Sequence, residues 1–324
     1  MAKADNNFIF CLLDIWIFVN NFFMKKFVSD IIFDQLKLKT ESENDLAVTS
    51  TNLGEFLLEE YEVKNSEEAK LYKKQLGKYK LLSIPSPLEL SKKSIAKAVE
   101  IFAHVLKSLV GEIKVKDRVL VVGLGNRHIS ADSLGTQVIK NINITFGGNY
   151  PKVMAVCPSV LGLTGIETYD IVSGIIDRVK PTIIIFIDSL CASSSSRLGK
   201  SIQVTNTGIC PGSGIGNKRK CLSGDLANKV VSIGVPLLIY ASTFVSESLY
   251  QKGIDLQRIN STMQSVKTIA NMGKFATLLK DLRDVLNTDL EEIVTLKDIE
   301  ECTGILADII SKAINKSLGV DALN

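Results

Sequence analysis

Histidine is nearly absent from this sequence of 324 residues, with only His104 and His128. A serine nucleophile served by a histidine base has little to draw on, and the run Ser193 to Ser196 lacks the G-x-S-x-G spacing of a nucleophile elbow. The cysteines, at 11, 157, 191, 210, 221 and 302, form no C-x-x-C pair. That spacing excludes a zinc ribbon and offers no disulfide framework, so they read as reduced thiols. An excess of one charge is missing too. Against 35 acidic residues stand 38 Lys and Arg, a net +3, which gives no electrostatic claim on nucleic acid. No uninterrupted apolar run reaches the roughly 20 residues that span a bilayer. The segment Phe8 to Met24 is broken by Asp14, Asn20 and Asn21 and has neither a basic leader nor a small-residue cleavage site. It reads as residues upstream of a start at Met24, or as an anchor flanked by Lys25 and Lys26, with the membrane the less favoured partner.

What remains is a globular composition, 46% hydrophobic and 23% charged. Residues 35–45, QLKLKTESEND, are polar and mixed in charge and read as a linker or processing segment. The organisation expected is an N-terminal apolar segment and propeptide over 1–45, then one α/β domain over 46–324 with a helical C-terminal part. Helical spacing runs through Lys92 to Ile113, with His104 a packing or surface residue, and again through Ser133 to Asn141, Glu167 to Val179 and Ile299 to Leu318. Between these lie apolar runs at Val119 to Val122, Val153 to Cys157, Ile183 to Ile187 and Val230 to Ile239. Buried strands alternating with helices predict a mostly parallel central sheet with helices on both faces. The tail from Ser261 to Leu318 carries no strong strand signal.

Two strands end alike. Val119 to Gly135, VLVVGLGNRHISADSLG, leads through a glycine turn to Asp132, and Pro181 to Ile187 leads straight to Asp188. Both carboxylates are thereby delivered to the carboxyl edge of the sheet, where open α/β folds keep their ligands. Gly123 and Gly125 begin a dinucleotide fingerprint, but His128 stands where its third glycine belongs and no acidic residue follows at 140–150. No cofactor is expected. The glycines instead let the backbone turn beside the site, and Asn126 is either a substrate contact or a plain turn residue. Taken alone, Asp132 suits a helix cap; with Ser130 capping, it is free to face the crevice. Glu167 supports a helix start capped by Thr164, or is a third acid near the site. The glycine-rich stretch Asn206 to Arg219, including Gly212 and Gly214, fails the P-loop spacing and reads as a loop lining the groove. Two close carboxylates share a proton, an arrangement that can hydrolyse an amide, or else they hold a hard divalent cation.

Together these segments resemble the germination protease family of spore-forming bacteria, through NDLAVTS at 44–50, VLVVGLGNRHISADSLG, CPSVLGLTGIET at 157–168, KPTIIIFIDSL at 180–190 and NTGICPGSGIGNKRK at 206–220. The resemblance covers about residues 44–318. It implies a fold similar to hydrogenase-maturation endopeptidases and an atypical aspartic-type endopeptidase that uses Asp132 and Asp188. It also implies a homotetramer in the cytoplasm of the forespore and spore core, with small acid-soluble spore proteins as substrate. It further implies a zymogen that cuts itself between Asp45 and Leu46. Arg127-His128 departs from the family's Trp-Asn, Asn206 and Cys210 from its D-T-G-I-H, and Thr49 from a glutamate, which bears on substrate preference and self-processing. The competing readings are a metal-dependent endopeptidase of the hydrogenase-maturation type and a non-catalytic protein that binds spore proteins.

Overall fold

The computed structural model describes residues 29–39, 48–210, 220–222, 226–251 and 292–323. The chain divides into two compact units. The larger comprises Ser29–Ala192, Ser196–Leu238 and Thr295–Asn324, and the smaller Met1–Val28, Ser193–Ser195 and Ile239–Val294. In chain order the elements are α1 (Ile32–Lys39), β1 (Thr49–Asn52), β2 (Leu57–Val63), α2 (Ser66–Tyr72), β3 (Gly77–Ser83), α3 (Lys92–Val110), β4 (Arg118–Gly123), α4 (Leu134–Lys140), β5 (Lys152–Val156), α5 (Leu161–Thr164), α6 (Thr168–Val179), β6 (Ile183–Ala192), β7 (Ser201–Thr205), β8 (Lys229–Tyr240), α7 (Ala241–Gln251), β9 (Ile293–Thr295) and α8 (Ile299–Ser317).

The sheet runs β1-β2-β3-β7-β8-β6-β4-β5. Its β4 pairs in parallel with both β5 and β6, as the apolar runs predict. An antiparallel half extends it, since β1, β2, β3, β7 and β8 pair antiparallel in succession. Side chains alternate across the strands and sort into two layers. Val119, Val121, Ile183, Ile185 and Ile187 face α3, α4 and α8, through Phe102, Leu106, Leu134, Val138, Ile310 and Ile314. Leu120, Val122, Ile184 and Phe186 face the other way, onto Val172 and Ile176 of α6. Each such side chain, fully buried, is worth about 2 kcal/mol, so the paired layers hold the parallel strands and fix where their carboxyl ends stand. Ser91 caps α3 by accepting the Ser94 N–H at 3.1 Å, and Gly111, at φ 72°, ends it. His104 is exposed on that helix.

Four expectations are corrected. Residues 35–39 of the stretch read as a linker are helix, part of α1, whose approach and first turns bury Ile31, Ile32, Phe33 and Leu36 at 2% exposure or less. The tail contains the short strand β9. Thr164 closes α5 instead of capping the next helix, its Oγ1 accepting the Ile166 N–H at 3.2 Å. Cys210 and Cys221 form a disulfide. The cause is pairing: Ile209 and Leu222 exchange both backbone hydrogen bonds at 2.8 Å, so the next residues outward face each other at the close, non-hydrogen-bonded spacing of an antiparallel pair, with Cα atoms 4.2 Å apart.

In the smaller unit, Glu247 of α7 accepts the Ser194 hydroxyl at 2.6 Å and the Ser195 N–H at 2.8 Å, and the Ala241 N–H donates to the Glu292 carbonyl at 2.8 Å. The segment Phe8 to Met24 lies outside the described residues. Among those described, no helix is long and apolar enough to cross a membrane.

Candidate active site

The glycine turn after β4 is built around Asp132. Gly125 has φ 101°, and a Cβ there would lie 2.0 Å from the Asp132 carbonyl oxygen, so glycine alone fits. One residue on, the Asn126 N–H donates to Asp132 Oδ2 at 2.9 Å. The Asn126 Oδ1 accepts the His128 N–H at 2.9 Å, a bond that closes the turn. Asp132 does not cap α4. It ends a short 3-10 turn, Ser130–Asp132, and the flanking Ser133 makes no side-chain cap. The helix can start this close to the strand because Gly123 and Gly135 meet: a Cβ on Gly123 would be 2.2 Å from the Gly135 carbonyl oxygen.

Asp188 stands on the adjacent strand. Gly123 is in register with Ile187, and the Leu124 N–H donates to the Ile187 carbonyl at 2.8 Å. Past this point β4 turns away while β6 continues, so Asp188 is the first residue of β6 beyond the paired region. It is 6% exposed, with Oδ1 accepting the Ser189 N–H at 3.0 Å. Asp188 therefore follows the last β6 residue paired with β4, and Asp132 closes the 3-10 turn reached from the end of β4, each with one oxygen held by a backbone N–H. Glu167 lies half-buried just before α6, in the connection leaving β5 at the same edge, and caps nothing. The neck of the glycine-rich stretch packs Ile209 and Leu222 on the face that holds Phe186. Lys220 reaches the first turn of α6, 3.8 Å from Asp170 and 5.2 Å from the Tyr169 ring centre. Gly212, Gly214, Asp45 and Leu46 lie outside the described residues.

The sequence motifs do not point to the occupant of the next stretch of β6. The Asp30 N–H donates to the Cys191 carbonyl, and the Cys191 N–H to Asp30 Oδ2, both at 3.0 Å. Gln203 of β7 brackets the same segment, its Nε2 donating to the Asp30 carbonyl at 3.1 Å and its Oε1 accepting the Ile32 N–H at 3.0 Å. Lys74 Nζ donates to the carbonyls of Ser29 at 3.3 Å and Asp30 at 2.8 Å. Burial pushes the Lys74 ammonium below its ordinary pKa, and the charges of Asp30 and Asp34 partly restore it. Asp34 accepts the Ser29 hydroxyl at 2.8 Å and pairs with Arg197. Gln203 and Lys74 belong to no motif; only the apolar run Ile31 to Phe33 hints that this segment docks.

Among the described residues, no three His, Cys, Asp or Glu side chains gather as a metal site requires. The fold and the site define an α/β protein with two aspartates beyond the point where its parallel strands β4 and β6 stop pairing. Within that class, the chain belongs to the germination protease family, a family of peptidases, whose sequence profile it matches over residues 29–252. It is 35% identical over 259 residues to the germination protease of Caldanaerobacter subterraneus subsp. tengcongensis, covering 76% of this chain and 79% of that one. With the germination protease of Clostridium acetobutylicum it shares 32% identity over 305 residues, 86% and 90% of the two chains. Among solved structures, the [NiFe] hydrogenase maturation protease HycI from Thermococcus kodakarensis is similar at 16% identity and a TM-score of 0.34, over 65% of this chain and 99% of that one.

Proposed function

We propose that the protein is an endopeptidase that begins the breakdown of small acid-soluble spore proteins when a spore germinates, with Asp132 and Asp188 as its reacting carboxylates. The observation that supports this reading is that β4 and β6 are parallel neighbours whose pairing ends at Gly123 and Ile187, with Asp188 next on β6 and Asp132 in the turn that follows β4. One carboxylate takes a proton from water as general base, and the other, protonated, polarises the scissile carbonyl and passes its proton on. Two interacting carboxylates titrate as a unit, so their apparent pKa values belong to the pair. Membership of the germination protease family supports the substrate class.

The protein is made as a zymogen that removes residues 1–45 by cleavage between Asp45 and Leu46, and it works as a homotetramer in the spore core. Docking of Ser29 to Lys39 supports the zymogen. That segment is bonded to Cys191, three residues along β6 from Asp188, or about 10 Å at the rise of a strand.

Purified full-length protein incubated with a purified small acid-soluble spore protein tests the reading. Fragments should accumulate, and the protein should shorten itself at residue 45. Asp132→Asn and Asp188→Asn should each lower kcat by about a thousandfold with unchanged circular dichroism. Normal cleavage by both variants would remove the aspartates from the mechanism. Loss of turnover in EDTA, restored by a divalent metal, would move the reading to the metal-dependent class.

A further inference from the structure

We propose that Gln203, Lys74 and the Cys191 peptide group form a cradle for the main chain of a substrate peptide, and that residues 29–32 occupy it in the unprocessed chain. The inference rests on the peptidase reading above and adds a binding site to it.

Most of the hydrogen bonds that hold this segment go to main-chain atoms. Gln203 donates to one peptide carbonyl and accepts from a peptide N–H two residues on, through Asp30 and Ile32. Lys74 donates to two consecutive carbonyls, those of Ser29 and Asp30. The Cys191 carbonyl takes the Asp30 N–H. A primary amide that brackets a peptide in this way recognises main-chain groups rather than side chains, provided the residue at the position of Ile32 is not proline. Such recognition suits a peptidase that must hold a polypeptide straight across its reacting groups.

The surroundings of Gln203 show why the site calls for a second occupant. It is 6% exposed, on a strand whose neighbouring Ile202 and Val204 are wholly buried in the core. When the N-terminal segment leaves, the Gln203 amide loses the two partners described, and Lys74 loses the two carbonyls it holds. The freed donors and acceptor of the vacated cradle then face water or any peptide that restores the bonds. Its position gives the match a purpose, since Cys191 follows Asp188 on one strand. A peptide held at Cys191 and Gln203 reaches the carboxylates with about three further extended residues.

The test uses the full chain after it has processed itself. Gln203→Leu should raise KM for the spore protein about tenfold, the equivalent of roughly one hydrogen bond, with the loss falling on KM rather than kcat. Gln203→Glu, which keeps the acceptor and loses the donor, should lie between. A synthetic peptide of residues 29–39 should compete with substrate on the unsubstituted protein and not on Gln203→Leu. A merely structural role would lower the melting temperature and leave KM and the competition untouched. Unchanged KM without competition overturns the cradle while leaving the peptidase reading standing. If the unsubstituted protein cuts nothing, that reading fails by itself, and the cradle is judged by direct binding. Fluorescein-labelled peptide 29–39 should then bind the full chain carrying Ile32→Asp, which unseats its own segment. Added Gln203→Leu should weaken that binding about tenfold; absence of binding to the Ile32→Asp chain overturns the proposal.

Discussion

At the scale of single residues, Gly125 links the backbone to the acid it positions. Its φ of 101° lies where side-chain-bearing residues rarely go, and its α-carbon approaches Asp132 so closely that an added Cβ would fall 2.0 Å from the Asp132 carbonyl oxygen and 2.9 Å from Oδ1. Gly125→Ala must therefore distort the turn, push Asp132 aside, or both. Backbone strain of this kind costs about 1–3 kcal/mol, and a displaced Asp132 also loses the Asn126 N–H. The expected result is a lower urea midpoint together with a fall in peptidase rate that persists at temperatures where the variant is fully folded. A variant with reduced stability and full activity would detach the turn from the chemistry. Substitution at Gly162, where a side chain meets nothing within 4 Å, provides the control at the same edge of the sheet.

At the scale of elements, α8 is locked to the connection after α4 by polar bonds in a buried place. Asn315 accepts the Asn143 N–H at 3.0 Å and donates to the Asn141 carbonyl at 2.9 Å, while the Asn143 side chain donates to the Val320 carbonyl at 2.9 Å. Asn315 is 5% exposed. Asn315→Leu keeps the volume but leaves the buried Asn143 N–H without that partner, at about 1–3 kcal/mol, and also loses the bond to the exposed Asn141 carbonyl, at about 1 kcal/mol. Chemical denaturation should register a loss of roughly 2–4 kcal/mol, and faster amide exchange should appear in α8 before it does in β4. The helices and parallel strands were legible because their apolar residues recur with clear periods. Lys92 to Val110 and Ile183 to Ile187 carry no competing signal. The antiparallel half was hidden for a physical reason. Strand β2 reads LLEEYEV and is only partly buried, and β1 reads TSTN with every residue exposed, so hydrogen bonding to neighbours forms these strands without an apolar stripe. The apolar run that leads into Asp188 and the glycine turn that leads to Asp132 were legible because both follow buried strands. Gln203 and Lys74 were not, since their role depends on a segment more than 40 residues from either in the sequence.

At the scale of the whole molecule, the pairing of Cys210 with Cys221 ties stability to redox conditions. No spacing rule identifies this pair; the register of Ile209 with Leu222 creates it. The sequence separation is 11, and closing a ring of that size in the unfolded chain stabilises the folded one by about 3 kcal/mol in the chain-entropy account. A reducing compartment opens such pairs by thiol exchange, in which an external dithiol is oxidised as both cysteines gain protons. The contribution is then present only in oxidised protein. Unfolding in urea with and without dithiothreitol should separate the midpoints by an amount equivalent to about 3 kcal/mol. The double substitution Cys210→Ser with Cys221→Ser should match the reduced protein and ignore the reductant. A shift that survives the double substitution would have to come from elsewhere in the chain and would show that the 210–221 bond is not what couples this fold to redox state.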